Sequence, residues 1–189
     1  MTASRDAAHF ERLYAADPDP WKFATSAYEQ AKYAATLAMI ADRHYGTALE
    51  VGCSIGVLSR QIAPLCDAFL GLDITETPLV AARARCADIP QARFARLAVP
   101  AEWPEGSFDL ILFSEVLYFL SDTDLHQTAA LARTSLAPGG HILLVNWTGK
   151  LDDPQQGDDA AGGFIAASGL AVARQERGEG YRIDLLSRP

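Results

Sequence analysis

The sequence has no long apolar run, no cysteine pair, no basic stripe and no repeat, and each absence removes a class of function. No stretch approaches the roughly 18 uninterrupted apolar residues of a membrane span, and the opening Met1-Thr2-Ala3-Ser4-Arg5-Asp6 leads to no apolar signal core. A cytoplasmic protein without membrane contact is expected. Cysteine occurs only at Cys53, Cys66 and Cys86, with no C-x-x-C spacing, which argues against a disulfide framework or a zinc site. Lys and Arg form no dense run and the formal charge is −8, so affinity for nucleic acid phosphates is not expected. No His, Asp and Glu cluster has metal-ligand spacing, so no metal site is expected.

What is present suits one soluble domain over residues 1–189, with 49% hydrophobic and 21% charged residues. Residues 1–45 read as a helical segment set before the main body. Within it, Asp17-Pro18-Asp19-Pro20 prevents residues 1–27 from forming one helix. Tyr33, Leu37 and Ile40 suit a helix from Tyr28 to about His44. Strand and helix then alternate. Strands are expected at 48–51, 68–73, 92–97, 108–114 and 141–147, with helices at 55–65, 77–86 and 122–136 between them. Thr77-Pro78 reads as the cap and first turn of the second of these helices, and Ser121 or Asp122 as the cap of the third. Phe108–Ser114 is a continuous apolar run, as expected of a strand buried on both faces of a parallel sheet. A loop from 151 grades into a helix near 160–168. Two last strands, 170–177 and 181–187, flank Gly178-Glu179-Gly180, a hairpin signal. The sum is an α/β fold with a seven-stranded, mostly parallel sheet, an antiparallel last strand and helices on both faces.

Three constellations carry chemistry. The first is Glu50-x-Gly52-x-Ser54-x-Gly56 at the end of the first strand, where ligands of doubly wound sheets bind. A dinucleotide fingerprint wants G-x-G-x-x-G with pyrophosphate at the helix start. Here an acid precedes the first glycine and the spacing is G-x-x-x-G, which suits a ligand bearing an ammonium group better than a diphosphate. Cys53, inside the turn, reads as a small packing residue. The second is Asp73, placed at the end of the second strand to accept hydrogen bonds from vicinal ribose hydroxyls. The third is Phe108–Leu120 (FDLILFSEVLYFL) followed by Leu136-Ala137-Pro138-Gly139-Gly140.

Taken together, these motifs resemble those of the class I S-adenosylmethionine-dependent methyltransferases, whose Rossmann-like fold the order of elements matches. The resemblance covers about residues 46–147. Asp19-Pro20-Trp21, Tyr28-Glu29-Gln30, ALEVGCSIG and SEVLYFL are similar to the NodS-type methyltransferases, extending the likeness to residues 17–147. That likeness implies S-adenosylmethionine as cofactor, S-adenosylhomocysteine as product, and N-methylation of the free amine of a de-N-acetylated chitooligosaccharide. It places Glu50 and Gly52 near the methionine amine and counts Tyr28, Cys53, Ser54 and Gly56 among the cofactor contacts. It puts Asp73 on the ribose, Ile74 beside the adenine and Ser114 at the amino acid part of the cofactor. Many relatives carry an acid after the third strand that bonds the adenine amine. Ala98 stands there in this chain, so adenine contact is expected from backbone groups of Leu97 and Ala98.

Methyl transfer needs alignment and a deprotonated nucleophile more than a dedicated base. If a base exists, Glu115 and Tyr118 are the candidates, being just past the fourth strand. Trp21, Tyr28 and Tyr33 form either a lid over the site or the packing of the first helix on the sheet, with Tyr28 assigned to the site. His126 reads as a surface helix residue. The acceptor is a small molecule, contacted from residues 1–30 and the loops after the fourth and fifth strands. The acidic loop at 148–163, with Asp152, Asp153, Asp158 and Asp159, suits a cationic or hydroxylated acceptor. An O-methyltransferase acting on a hydroxylated acceptor, an NAD-dependent oxidoreductase and a nonenzymatic cofactor-binding protein stand as alternatives. No motif encodes the oligomeric state.

Overall fold

Strand β1, Tyr45–Val51, is the third strand of a seven-stranded sheet ordered β3-β2-β1-β4-β5-β7-β6. The structure is a computed structural model describing residues 3–188. The other strands are β2 (Cys66–Asp73), β3 (Ala92–Arg96), β4 (Phe108–Ser114), β5 (Leu136–Trp147), β6 (Ala171–Gly178) and β7 (Tyr181–Ser187). β1 to β5 pair in parallel, while β7 runs antiparallel to both β5 and β6. The seven-stranded, mostly parallel architecture expected from the alternation is therefore the observed one. The order reverses between β1 and β4, and ligands of open α/β sheets bind outside such a reversal.

Six helices cover the sheet: α1 (Ala7–Ala16), α2 (Ala27–Ala38), α3 (Ser59–Ile62), α4 (Glu76–Arg85), α5 (Asp122–Ser135) and α6 (Gly157–Ser168). Side chains along β4 and β5 alternate between two cores. Ile111, Phe113, Ile142 and Leu144 pack against Leu125 and Ala129 of α5 and Phe164 of α6. Leu110, Leu112, Leu143 and Val145 face Tyr33 of α2 and Ile62 of α3. The period-2 alternation of a strand, buried on both sides, produces the continuous apolar run of the sequence.

Several element boundaries differ from the sequence expectation, each for a local reason. The helix expected over 55–65 shrinks to Ser59–Ile62 and a 3-10 turn at Ala63–Leu65, because the glycine turn occupies 52–56 and Pro64 supplies no N–H. α2 stops at Ala38, with Met39 and Ile40 closing short turns onto Thr36 and Leu37. α4 begins after Thr75 rather than Thr77, and Thr75 gives its hydroxyl to Asp73 instead of the helix. α6 begins at Gly157, earlier than expected, and ends on Gly169.

Between α1 and α2 the chain turns at the Asp-Pro repeat. Asp19 holds this turn by accepting from the Phe23 and Ala24 amides at 2.8 and 3.0 Å. α1 crosses the open end of the sheet and is tied just before its start and near its middle. The Arg5 amide donates to the Phe119 carbonyl at 2.9 Å, and Thr77 donates to Glu11 at 2.6 Å. No helix among the described residues is long and apolar enough to cross a membrane.

Candidate functional site

A cavity of about 770 Å³ opens at the carboxyl ends of β1, β2 and β4, roofed by α1 and the start of α2. Its floor is the turn after β1. Gly52 has φ +84° and Ser54 φ +47°, a reversal that turns the backbone back under the cavity. A Cβ on Gly52 would sit 2.7 Å from the Ser114 carbonyl oxygen, so only glycine lets the turn lie against the end of β4. The Gly52 and Cys53 amides both donate to the Leu72 carbonyl at 2.9 Å, locking the turn to β2.

Asp73 ends β2 inside the cavity. Its Oδ2 accepts from the Ser54 amide at 3.1 Å, and its Oδ1 from the Thr75 amide and hydroxyl at 3.0 and 2.8 Å. Three donors orient the carboxylate and leave it acceptor capacity toward the cavity. Burial pushes its pKa up while these donors pull it down. Above it, the Tyr14 hydroxyl of α1 shares a 2.5 Å hydrogen bond with Ser54 Oγ. Phe10 and Ile55 join Tyr14 in a small apolar cluster, with Ile74 and Phe119 packed against it. Burial and the nearby Asp73 carboxylate keep the Tyr14 phenol protonated far above its ordinary range.

The other end of the cavity is polar and charged. Glu115 adopts φ +57°, an uncommon conformation for a residue with a side chain. Its Oε1 accepts from Lys32 Nζ at 2.5 Å, and its Oε2 from the Tyr118 hydroxyl at 2.9 Å and the Trp147 amide at 2.6 Å. Lys32 also donates to Glu29 Oε1 at 3.1 Å. Tyr28 lies under the Lys32 ammonium, 5.3 Å from ring centre to Nζ, and meets Trp147 edge to face at 5.6 Å.

Of the residues singled out by sequence as cofactor contacts, Tyr28, Gly52, Ser54, Asp73, Ile74, Leu97 and Ser114 line this cavity. Glu50, Cys53, Gly56 and Ala98 are not among its lining residues. Glu50 is 1% exposed and accepts from the Ser59 hydroxyl of α3 at 2.5 Å. Strand alternation sends Glu50 to the α3 side and presents Val51 to the cavity. With almost no water around it, the Glu50 carboxyl is pushed up to about 8. Cys53 is buried, its Cβ 3.2 Å from where a Cβ on Gly71 would stand, so it packs β1 against β2. Gly56 serves helix packing, since a Cβ there would meet Ala82 of α4 at 2.9 Å. The Ala98 amide is taken by Glu102 Oε2 at 2.9 Å and its carbonyl by the Glu102 amide at 2.9 Å. The Leu97 amide, at 3.0 Å from the Asp73 carbonyl, is also occupied. Neither amide is free for an adenine.

Glu115 and Tyr118, the two candidate bases, both line the cavity. Three donors already hold the Glu115 carboxylate. Tyr118 is itself a donor, and burial beside Glu115 raises its pKa well above the phenol range. Trp21 lines the cavity, stacked on Phe23 at 5.5 Å, whereas Tyr33 is 5% exposed in the core beneath α2. His126 is exposed on α5. Asp152 and Asp153 reach the cavity rim, where Arg5 binds both, through Asp153 Oδ1 at 2.9 Å and the Asp152 carbonyl. Asp158 instead pairs with Arg177 and Arg182 on the hairpin, and Asp159 is exposed. Lys32, Tyr14 and Trp147 were not singled out as site residues by sequence. Each reaches the cavity from a separate element, so no local spacing marks them.

The model of the family described as Nodulation protein S (NodS) matches residues 5–144. A nodulation protein S from Bradyrhizobium diazoefficiens is 34% identical over 146 residues, covering 76% of this chain and 69% of that one. Another from Sinorhizobium fredii is 31% identical over 128 residues, covering 67% of this chain and 59% of its own length. The crystal structure of N-methyltransferase NodS from Bradyrhizobium japonicum, in complex with S-adenosylhomocysteine, superposes with a TM-score of 0.82 at 22% identity. That match covers 97% of this chain and 98% of the crystallised one.

Proposed function

The chain belongs to the nodulation protein S family, and on that premise we propose that it is an S-adenosylmethionine-dependent methyltransferase that N-methylates a small amine, with an amino sugar or de-N-acetylated chitooligosaccharide as the acceptor class. When bound, the cofactor supplies an electrophilic methyl group on a sulfonium, whose S–C bond breaks as the acceptor nitrogen forms its C–N bond. The observation that carries this reading is a single cavity with an oriented carboxylate, Asp73, at one end and a buried acidic cluster, Glu29, Lys32 and Glu115, at the other.

The residues present fit the cofactor. Asp73 holds ribose hydroxyls, with Ser54 and Tyr14 fixing its surroundings. Gly52 and Ser114 bring backbone close to the amino acid part, and Ile74, Leu97 and Val99 supply an apolar wall for the adenine. Tyr28 belongs to the acceptor end rather than to the cofactor. Glu115 and Tyr118 act as positioning residues: they fix Lys32 and the Trp147 backbone. The helical segment before β1 serves as a lid on a single methyltransferase domain, with Phe10, Tyr14 and Trp21 excluding water from the cavity. The free, buried cysteines and the acidic net charge support a cytoplasmic enzyme that does not bind nucleic acid.

Calorimetric titration with S-adenosylhomocysteine and with NAD, followed by a screen of amines, amino sugars and phenols for S-adenosylhomocysteine release, tests the proposal. Tight binding of S-adenosylhomocysteine with release driven by amines is expected. Binding of NAD alone, or turnover of phenols alone, would refute it.

A further inference from the structure

Two polar atoms on the cavity's acidic wall are buried without a hydrogen-bond partner among the described residues: Glu29 Oε2 and the Tyr28 hydroxyl. Both belong to the first turn of α2, and both residues line the cavity. Glu29 is 7% exposed. Its Oε2 comes within 3.0 Å of Lys32 Nζ but accepts no hydrogen bond from it. Lys32 balances the charge on that oxygen, but neither the oxygen nor the Tyr28 hydroxyl accepts or donates a well-formed hydrogen bond, so the pair complements a ligand that brings N–H donors.

The charges around this wall have one sign in excess. Lys32 is the cation of the cluster and is shared between two carboxylates, closer to Glu115 at 2.5 Å than to Glu29. Tyr28 and Tyr33 of α2 and Tyr118 beyond β4 complete the titratable groups facing Glu29, and burial holds all three phenols protonated. Two carboxylates against one ammonium leave the wall with an unbalanced negative charge.

We propose that Glu29 is the residue that binds the acceptor's ammonium group and takes its proton, with the Tyr28 hydroxyl as a second contact. This rests on the N-methyltransferase reading above. The N–H bond of the ammonium breaks as an O–H bond forms on Glu29 Oε2, leaving a neutral amine with its lone pair free. The proton then leaves Glu29 for solvent. Glu29 suits the task because burial pushes its carboxyl above the ordinary range, while the Lys32 ammonium beside it pulls the other way. Glu115 differs in that both of its carboxylate oxygens already accept hydrogen bonds.

The test titrates a glucosamine disaccharide, and separately its N-acetylated form, into the full chain saturated with S-adenosylhomocysteine. It is run in two buffers of different ionisation enthalpy so that proton transfer is read directly. Glu29→Gln is expected to weaken binding of the free amine by roughly ten- to a hundredfold, the range of a lost charged hydrogen bond. It should also abolish the buffer-dependent heat and leave S-adenosylhomocysteine affinity within about twofold. Glu29→Asp should restore part of the amine affinity, and Tyr28→Phe, which leaves the ion pair intact, should weaken it several-fold. In turnover, Glu29→Gln should lose activity at neutral pH and regain it as rising pH deprotonates the free amine. Unchanged amine affinity in Glu29→Gln, or an activity loss that is the same at every pH, would overturn the assignment. A wild-type chain that binds S-adenosylhomocysteine but neither binds nor methylates any amine would refute the N-methyltransferase reading itself, a failure visible without any variant.

Discussion

Residue by residue, the site depends on what surrounds each carboxylate. Asp73 and Glu50 lie at the ends of adjacent strands, yet one faces a ligand cavity and the other a helix. Asp73 is held by three donors and keeps acceptor capacity. Asp73→Asn should keep the fold and raise the dissociation constant for S-adenosylhomocysteine at least about tenfold by calorimetry, the loss of one charge-assisted contact. Glu50 predicts an effect on stability instead. Its carboxyl is pushed up to about 8 in the folded chain, against about 4.3 when unfolded. Between those values the folded state binds the extra proton, so stability falls as pH rises through that window. Glu50→Gln removes the titrating group while keeping an acceptor for Ser59. Denaturant melts should show the variant gaining on wild type from pH 5 to pH 8, by an amount of order a few kcal/mol at the top. A gap that does not change with pH would refute the assignment of Glu50 as a buried, protonated acid.

The element scale explains how the two ends of the cavity are set. α6 begins where β5 ends, and a Cβ on Gly157 would overlap the Trp147 carbonyl oxygen. Gly157→Ala should therefore push α6 off β5, destabilise the fold by about 2 kcal/mol or more, and displace the Trp147 amide from Glu115, seen as a loss of acceptor affinity beyond any change in cofactor affinity. The N-terminal elements are joined more lightly. Arg5 reaches Asp153 with a side chain 35% exposed, and such a pair contributes at most about 1 kcal/mol. Arg5→Ala should leave thermal stability nearly unchanged, yet increase proteolysis within residues 3–27 and raise the Michaelis constant for the cofactor a few-fold. Protection by S-adenosylhomocysteine should be weaker in the variant than in wild type. Existence and order of the elements were legible in the sequence because the strand at 108–114, the glycine turn and the hairpin are encoded by adjacent residues. Their ends were less so. Thr75 and Thr77 are equally good caps on paper, and the choice between them was made by Asp73, which took the Thr75 hydroxyl. The short α3 has the same cause, a turn whose geometry is set by its contact with β4.

On the scale of the whole molecule, sequence determined the cofactor end and tertiary structure the acceptor end. The alternation of strands and helices, the G-x-x-x-G turn and Asp73 are local, and a strand end followed by glycine dictates much the same backbone wherever it stands. That locality made the mostly parallel sheet and the ligand crevice readable. It did not show that Glu50 turns to Ser59, that Gly56 packs on Ala82 or that the Ala98 amide is taken by Glu102, because spacing places a residue near a turn without saying which way its side chain points or which partner it already has. The acceptor wall has no such signature. Lys32 and Glu115 are 83 positions apart, and Trp147 lies a further 32 from Glu115. Only the folding of α2 over the ends of β4 and β5 makes them one cluster. Burial then shapes their chemistry: it leaves the Tyr28 hydroxyl without a partner and keeps Tyr118 a protonated donor to Glu115. Desolvation is a property of the assembled core, and no pattern along the chain reports it.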